Sequence, residues 1–336
     1  YAGIINGIWP GSLDPATFRV GARSWTIGIL GALGLFVSVA IHELGHSWAA
    51  LRYGIKTESI TLWLLGGLAR FETMPKEWQR EFWIALAGPV TSVLLAGVFA
   101  VGLQVVPASL PVVVFTIGFL AILNVVLAVF NLLPAFPMDG GRVLRALLAR
   151  TRSYASATRI AARVGTAFAL LFVLFGVFTF QIIMILVGLF IYTAATSESR
   201  TVMLEELLAG ITVRSLATRD ASVSVDDTAD ALLDRLLAER RTDLLVRDGE
   251  RVVGVVTASA LRAVDPADYH TTTVGDLVSR DLPRLDAGLG AFPALIELNQ
   301  ARSEVALVED GGEVVGAISR SDFGAAMELR RGSRPA

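Results

Sequence analysis

Three residues between Val37 and Ala49 have the types and spacing to do chemistry together: His42, Glu43 and His46, in the run His-Glu-Leu-Gly-His. On a helix, positions i and i+4 share a face, so both imidazoles can aim at one point and grip a single metal ion. Glu43 sits beside them without being consumed as a ligand. Its carboxylate can take a proton from a water polarised by the metal and later hand it to the leaving amine of a peptide. The pattern therefore points to a zinc hydrolase centre. The competing reading is a pair of histidines that only hydrogen-bond across a helix bundle. Ionisable groups inside an apolar helix are costly and default to function, which favours the metal.

Two imidazoles leave a catalytic zinc one protein ligand short, because such a site takes three plus an open position for water. The chain has no cysteine, and His270, the remaining histidine, lies far away in a polar region, so a carboxylate is expected to complete the set. The only aspartate between residues 15 and 219 is Asp139. It stands in Asn131-Leu-Leu-Pro-Ala-Phe-Pro-Met-Asp139-Gly-Gly, where an apolar helical run breaks into prolines and glycines. At membrane depth a broken helix is tolerated only where it is buried in protein or lines a cavity.

These two motifs, HELGH on one apolar segment and NLLPxxPxDGG on a later one, resemble the site-2 protease family of intramembrane zinc metalloproteases, over roughly residues 25 to 200. The resemblance implies that His42, His46 and Asp139 hold one zinc ion and that Glu43 is the catalytic acid and base. Met138 stands where many relatives have leucine. It also implies substrates that are membrane proteins: regulatory precursors, their inhibitors or signal-peptide remnants. Asn131 is a further candidate, with a side-chain amide that could meet substrate backbone or satisfy the broken helix.

The chain's mean hydropathy of +0.60 averages over two unlike halves. Residues 1 to 200 carry 14 Lys+Arg against 8 Asp+Glu, and the remainder carries 15 against 23. A membrane part is thus followed by an acidic one. No basic cluster interleaved with aromatics is present, so nucleic-acid binding has no electrostatic footprint. The absence of cysteine excludes disulfides and thiolate chemistry.

Apolar segments near 25–50, 82–106, 112–134, 160–178 and 180–197 each approach the roughly 20 residues that a spanning helix needs. Six arginines between the third and fourth spans (Arg142, Arg145, Arg150, Arg152, Arg159, Arg163) place that loop in the cytoplasm, and the count brings the fifth span back there. Residues 1–24 read as a loop rich in turn formers, and family members of this architecture have a further helix before the first span here, so a segment upstream of Tyr1 is expected. The domain division expected is 25–200 for the protease, 201–208 for a linker, and 209–270 and 271–330 for two smaller repeats.

Between the first two spans, Ile55 to Glu72 reads as two short extended runs around Gly66-Gly67, a β-hairpin. A helical substrate must be unwound before its amide can reach the zinc, and an exposed strand edge could hold it extended. Trp63 and Leu68 are the substrate-contact candidates there, with the entrance expected beside the hairpin. Ala87-Gly88-Pro89 in the second span is compatible with close helix packing, with a helix break, or with both.

From residue 203 the pattern changes to short strands and amphipathic helices and repeats itself. Val246-Arg-Asp-Gly-Glu-Arg-Val-Val-Gly254-Val-Val-Thr257 returns 62 residues later as Val308-Glu-Asp-Gly-Gly-Glu-Val-Val-Gly316-Ala-Ile-Ser319. This tandem is similar to the CBS family, small β-α modules that often bind adenine nucleotides between the copies. The family motif Gly-x-x-Ser/Thr-x-x-Asp, whose hydroxyl meets phosphate and whose carboxylate meets ribose, maps onto Gly316, Ser319 and Asp322. The first copy keeps Gly254 and Thr257 but has Ala260 in place of the aspartate. ATP or AMP is the regulatory ligand so implied, and a homodimer through the CBS pair is a further expectation.

The fold class expected is a polytopic α-helical membrane domain of site-2 protease type with a small membrane-associated β-hairpin, followed by an α/β tandem CBS domain. The function expected is intramembrane zinc proteolysis in a multi-pass membrane protein whose CBS pair faces the cytoplasm. The alternative is a CBS-gated metal transporter, which does not require Glu43 beside a ligand.

Overall fold

A computed structural model of the chain describes residues 22–63, 66–71, 75–218 and 221–332. The loop expected at the N-terminus falls, up to residue 21, outside the described residues. The chain divides into two compact units, residues 1–200 and 201–336.

In the first unit, five helices are long and apolar enough to cross a membrane: Trp25–Arg52, Trp78–Val105, Pro111–Asn131, Tyr154–Phe178 and Ile182–Leu208. The elements in order are α1 (Ala22–Arg52), the strands β1 (Thr57–Trp63) and β2 (Gly66–Phe71), then α2 (Trp78–Val105), α3 (Pro111–Asn131), α4 (Asp139–Ala149), α5 (Tyr154–Phe178) and α6 (Ile182–Leu208). Their outer faces keep Leu33, Phe36, Leu94, Val98, Leu171 and Phe178 exposed, as helices solvated by hydrocarbon require. Helix α2 is the hub: it packs against α1, α3 and α4.

Pro89 does not break α2, which runs unbroken through it. One sequence expectation, the position of the hairpin turn, is corrected here. The pair Gly66-Gly67 is not the hairpin turn: β1 and β2 pair antiparallel with Trp63 opposite Gly66 and Thr61 opposite Leu68, so both glycines belong to β2. The linker expected at 201–208 is helix, the last turns of α6. The stretch Thr201–Leu208 holds no glycine or proline and is rich in leucine and glutamate, so nothing stops the helix before Gly210. Helix α5 likewise starts at Tyr154, with Ser153 Oγ accepting from Ser156 N–H at 3.3 Å, because a serine cap rather than the onset of hydrophobicity sets its start.

Between α3 and α4 the backbone satisfies itself through tight turns: Ala135 N–H donates to Leu133 O (2.7 Å), Met138 N–H to Ala135 O (3.0 Å) and Gly141 N–H to Met138 O (3.1 Å). Asp139 thereby becomes the first residue of a new helix, where a carboxylate is favoured by the exposed amides and the helix dipole.

The second unit contains two copies of one motif. The first has α7 (Val213–Leu216), β3 (Ser222–Ser224), α8 (Ala229–Glu239), β4 (Asp243–Asp248), β5 (Arg251–Thr257) and α9 (Ala258–Arg262). The second has α10 (Val274–Leu277), β6 (Arg284–Asp286), α11 (Ala291–Gln300), β7 (Val305–Asp310), β8 (Glu313–Ser319) and α12 (Arg320–Gly332). In each, the first strand is parallel to the second and the second antiparallel to the third.

The copies exchange their opening turns. Val213 and Leu208 are buried in the core of the second copy with Leu285, Leu298 and Phe323, while Val274 is buried in that of the first with Leu232, Leu244 and Val256. Matching backbone bonds hold the exchange: Val213 N–H to Leu289 O and Val274 N–H to Asp227 O, each 2.8 Å. The repeats are therefore consecutive in sequence and interlocked in space.

Candidate metal centre

Helix α1 places His42 and His46 one turn apart on the face turned toward α2, and the turn into α4 delivers Asp139 to the same point. All three are buried. His42 Nε2 and His46 Nε2 each lie 3.1 Å from Asp139 Oδ2 and 3.2 Å from each other. The rings stand edge to face, 4.9 Å between centroids.

Helix α2 orients both rings. His46 Nδ1 lies 2.7 Å from the carbonyl oxygen of Ile84. A carbonyl only accepts, so the proton is on Nδ1 and the Nε2 lone pair faces inward. His42 Nδ1 lies 2.8 Å from Ser92 Oγ, and in the same tautomer it donates to that hydroxyl. With both rings in that tautomer, two ring lone pairs and a carboxylate oxygen converge on one point, a donor set suited to a cation.

The donor set fits zinc. Ligands about 2.0–2.1 Å from a tetrahedral zinc lie roughly 3.3 Å from one another, close to the separations found here. Two imidazoles and one carboxylate are a catalytic rather than a structural complement, since a fourth position stays open. Room for it is kept by Gly88, whose Cα faces the pair: a Cβ there would come within 2.2 Å of His46 Nε2 and 2.6 Å of His42 Nε2.

Peptidase family M50 matches residues 30–172, and the CBS domain matches residues 213–266. A relative named zinc metalloprotease, from Methanocaldococcus jannaschii, is 35% identical over 300 residues, covering 88% of this chain and 84% of its own. This chain belongs to peptidase family M50. Stage IV sporulation protein FB of Bacillus subtilis is 29% identical over 157 residues, 44% of this chain and 53% of its own. A solved site-2 protease from Methanocaldococcus jannaschii is 43% identical, covering 50% of this chain and 76% of its own with a TM-score of 0.42.

The chain is thus a zinc metalloprotease of the M50 family, a multi-pass membrane protein that also carries a CBS module. The metal-transporter alternative is not favoured. Glu43, one residue from His42, is buried, as are His42, His46 and Asp139. The M50 peptidase's other sequence candidates fall less neatly. Asn131 turns its amide back to Leu127 O at 3.0 Å, which serves the end of α3. Trp63 and Leu68 lie on facing strands of the hairpin, and their side chains fall outside the described residues.

In the CBS module, Thr257 and Ser319 line one cleft of about 190 Å³ with Thr242, Asp243, Glu304 and Ser321. Ligand pockets typically begin at about 300 Å³, so this cleft is tight for a nucleotide. Gly254 and Gly316 are not among its lining residues; each faces an exchanged segment instead. A Cβ would meet Ser279 O at 2.3 Å from Gly254 and Thr218 O at 2.5 Å from Gly316. Asp322 is held by Ser319, accepting from its N–H and its hydroxyl at 2.8 Å each, and by Arg241 Nη2 at 3.2 Å. Its carboxylate caps α12 and is not among the residues lining that cleft.

Sequence reasoning passed over Ser92 and the Ile84 carbonyl. A serine in an otherwise apolar helix was the available signal for Ser92; the carbonyl left none, since any residue type supplies one. Along the sequence, Gly88 in Ala87-Gly88-Pro89 is compatible with close packing, a helix break or both; its closeness to the two imidazoles depends on tertiary structure.

Proposed function

We propose that this peptidase hydrolyses peptide bonds in or near transmembrane segments of membrane-bound substrates, with His42, His46 and Asp139 as zinc ligands and Glu43 as general base and acid. The observation that carries the reading is the convergence of three ligand atoms within 3.2 Å, with His46 held in its ligand tautomer by Ile84. Zinc held by these three residues would lower the pKa of the attacking water and polarise the scissile carbonyl.

Glu43 takes the proton from that water as its oxygen attacks the carbonyl carbon. It then delivers the proton to the amide nitrogen as the carbon–nitrogen bond breaks, so the amine leaves neutral. Ser92 and Ile84 keep the two imidazoles from rotating. The edge of the β1–β2 hairpin, through the segment of Trp63 and Leu68, holds the substrate extended.

The arginines from Arg142 to Arg163 support a cytoplasmic loop between α3 and α5, and with it a cytoplasmic CBS module. Substrates of the class cut by site-2 proteases, regulatory precursors, inhibitors or signal-peptide remnants, suit such a site. Regulation by ATP or AMP is supported by Thr257 and Ser319 sharing one cleft, and requires that Asp322 give up Arg241 and its helix cap on binding. Assembly as a homodimer through the same module is the other role proposed for it.

The Glu43→Gln variant tests the central claim. It is expected to keep its zinc and lose cleavage of membrane substrates. Cleavage at the parent rate would overturn the assignment. Titration calorimetry with ATP and AMP tests the nucleotide reading, and absence of binding leaves assembly as the module's role.

A further inference from the structure

We infer that Arg145 is a positioning residue of the metal centre, fixing the helix and loop that carry Asp139 against the helix that orients His42 and His46. This rests on reading those three residues as zinc ligands. Among the described residues, Arg145 is the one buried arginine or lysine, 1% exposed. Its Nε and Nη2 lie 2.7 and 2.6 Å from Glu81 Oε1, and its Nη1 lies 2.5 Å from Glu198 Oε1. The guanidinium also stands over the rings of Phe136 at 5.0 Å and Tyr154 at 4.8 Å.

These partners have a common geometry. Phe136 lies in the turn that ends at Asp139, and Arg145 is on α4, the helix that Asp139 starts. Glu81 is on α2, one turn before Ile84, whose carbonyl holds His46. One guanidinium therefore ties the carboxylate's loop and helix to the turn of α2 that sets the second imidazole. Glu198, on α6, and Tyr154, on α5, close the cage.

A buried ion pair adds little net stability over well-packed apolar side chains. Direction is what it adds. The planar fork meets Glu81 through two nitrogens and Glu198 through a third, a pattern that lysine's single ammonium cannot reproduce. Short, amphipathic α4 has no membrane-length apolar face to settle its depth or rotation, so this charge cage is suited to do so. Groups that orient metal ligands typically change metal affinity by 10–100-fold.

The test uses the full chain in detergent and compares the parent with Arg145→Lys. Zinc affinity is measured against a competing chelator, the visible spectrum is recorded after Co2+ substitution, and thermal unfolding of the metal-free protein is followed. Zinc affinity is expected to fall about tenfold or more, with an altered Co2+ spectrum and metal-free unfolding close to the parent's. Parent-like affinity and spectrum overturn the inference, and so does a lowered unfolding temperature with affinity unchanged, which marks a purely structural role. Should Arg145→Lys not fold, Phe136→Leu, which removes the ring beneath the guanidinium, decides by the same readouts. A parent that binds no zinc refutes the ligand reading itself, separately from any effect of Arg145.

Discussion

Nothing but hydrogen separates Gly88 from His46: a methyl group on Gly88 would sit 2.2 Å from Nε2 of that ring. The second span thus approaches the two imidazoles at a distance only glycine permits. Gly88→Ala must push both imidazoles aside or swing α2 away. A displacement on the order of 1 Å can cost about a hundredfold in rate, and a loss of that size is expected, together with weaker zinc binding. Metal content and cleavage rates measured in parallel check it, and full activity would contradict the geometry.

Ser92 offers His42 a hydrogen-bond partner from the same helix, one turn beyond Gly88. Ser92→Ala leaves the ring free to rotate and its Nδ1 without that partner. Zinc affinity is expected to drop by roughly 10–100-fold while the fold survives. Competition with a chelator measures the loss; Ser92→Thr, which keeps the hydroxyl, should recover part of it.

Asp139 reaches the two histidines from another helix and is the sole carboxylate in the set. Asp139→Ala leaves two imidazoles, too few for a catalytic zinc. Zinc content per chain should fall from one toward zero, and added Zn2+ should not restore cleavage. Removing the metal from the parent with a chelator should give the same inactive state, reversed by Zn2+.

In the CBS module, Asp276 accepts from the hydroxyl of Thr273 at 2.6 Å and from its backbone N–H at 3.0 Å. The hydroxyl first, and then the amide, hold the Asp276 carboxyl below the usual aspartate range. A carboxyl depressed in the folded state stabilises above its unfolded pKa, and the contribution fades as pH falls through the folded value. The bond anchors the turn that places Val274 in the first copy's core. Asp276→Ala should therefore lower the unfolding temperature at pH 7, and the gap between variant and parent should close only below about pH 4. A gap independent of pH would assign the effect to something other than this carboxylate.

The pairing of His42 and His46 was legible along the chain because helical spacing is local: a spacing of four residues puts two imidazoles on one face wherever that helix goes. The five spans, the hairpin's two strands and the 62-residue repeat are local in the same sense, since each is a periodicity within an element or a copy. Asp139 could be named by residue type and motif, but its arrival 3.1 Å from both rings depends on how α3 ends and α4 begins. Tertiary structure alone revealed that Ile84 and Ser92 hold the imidazoles and that Arg145 joins Glu81, Glu198 and Phe136. It also showed that the CBS copies trade their opening turns, and that Gly254 and Gly316 serve this exchange. The reason is physical: a carbonyl, a buried charge or a glycine acquires its role from what packs against it. Those neighbours come from distant segments that no spacing along one element can specify.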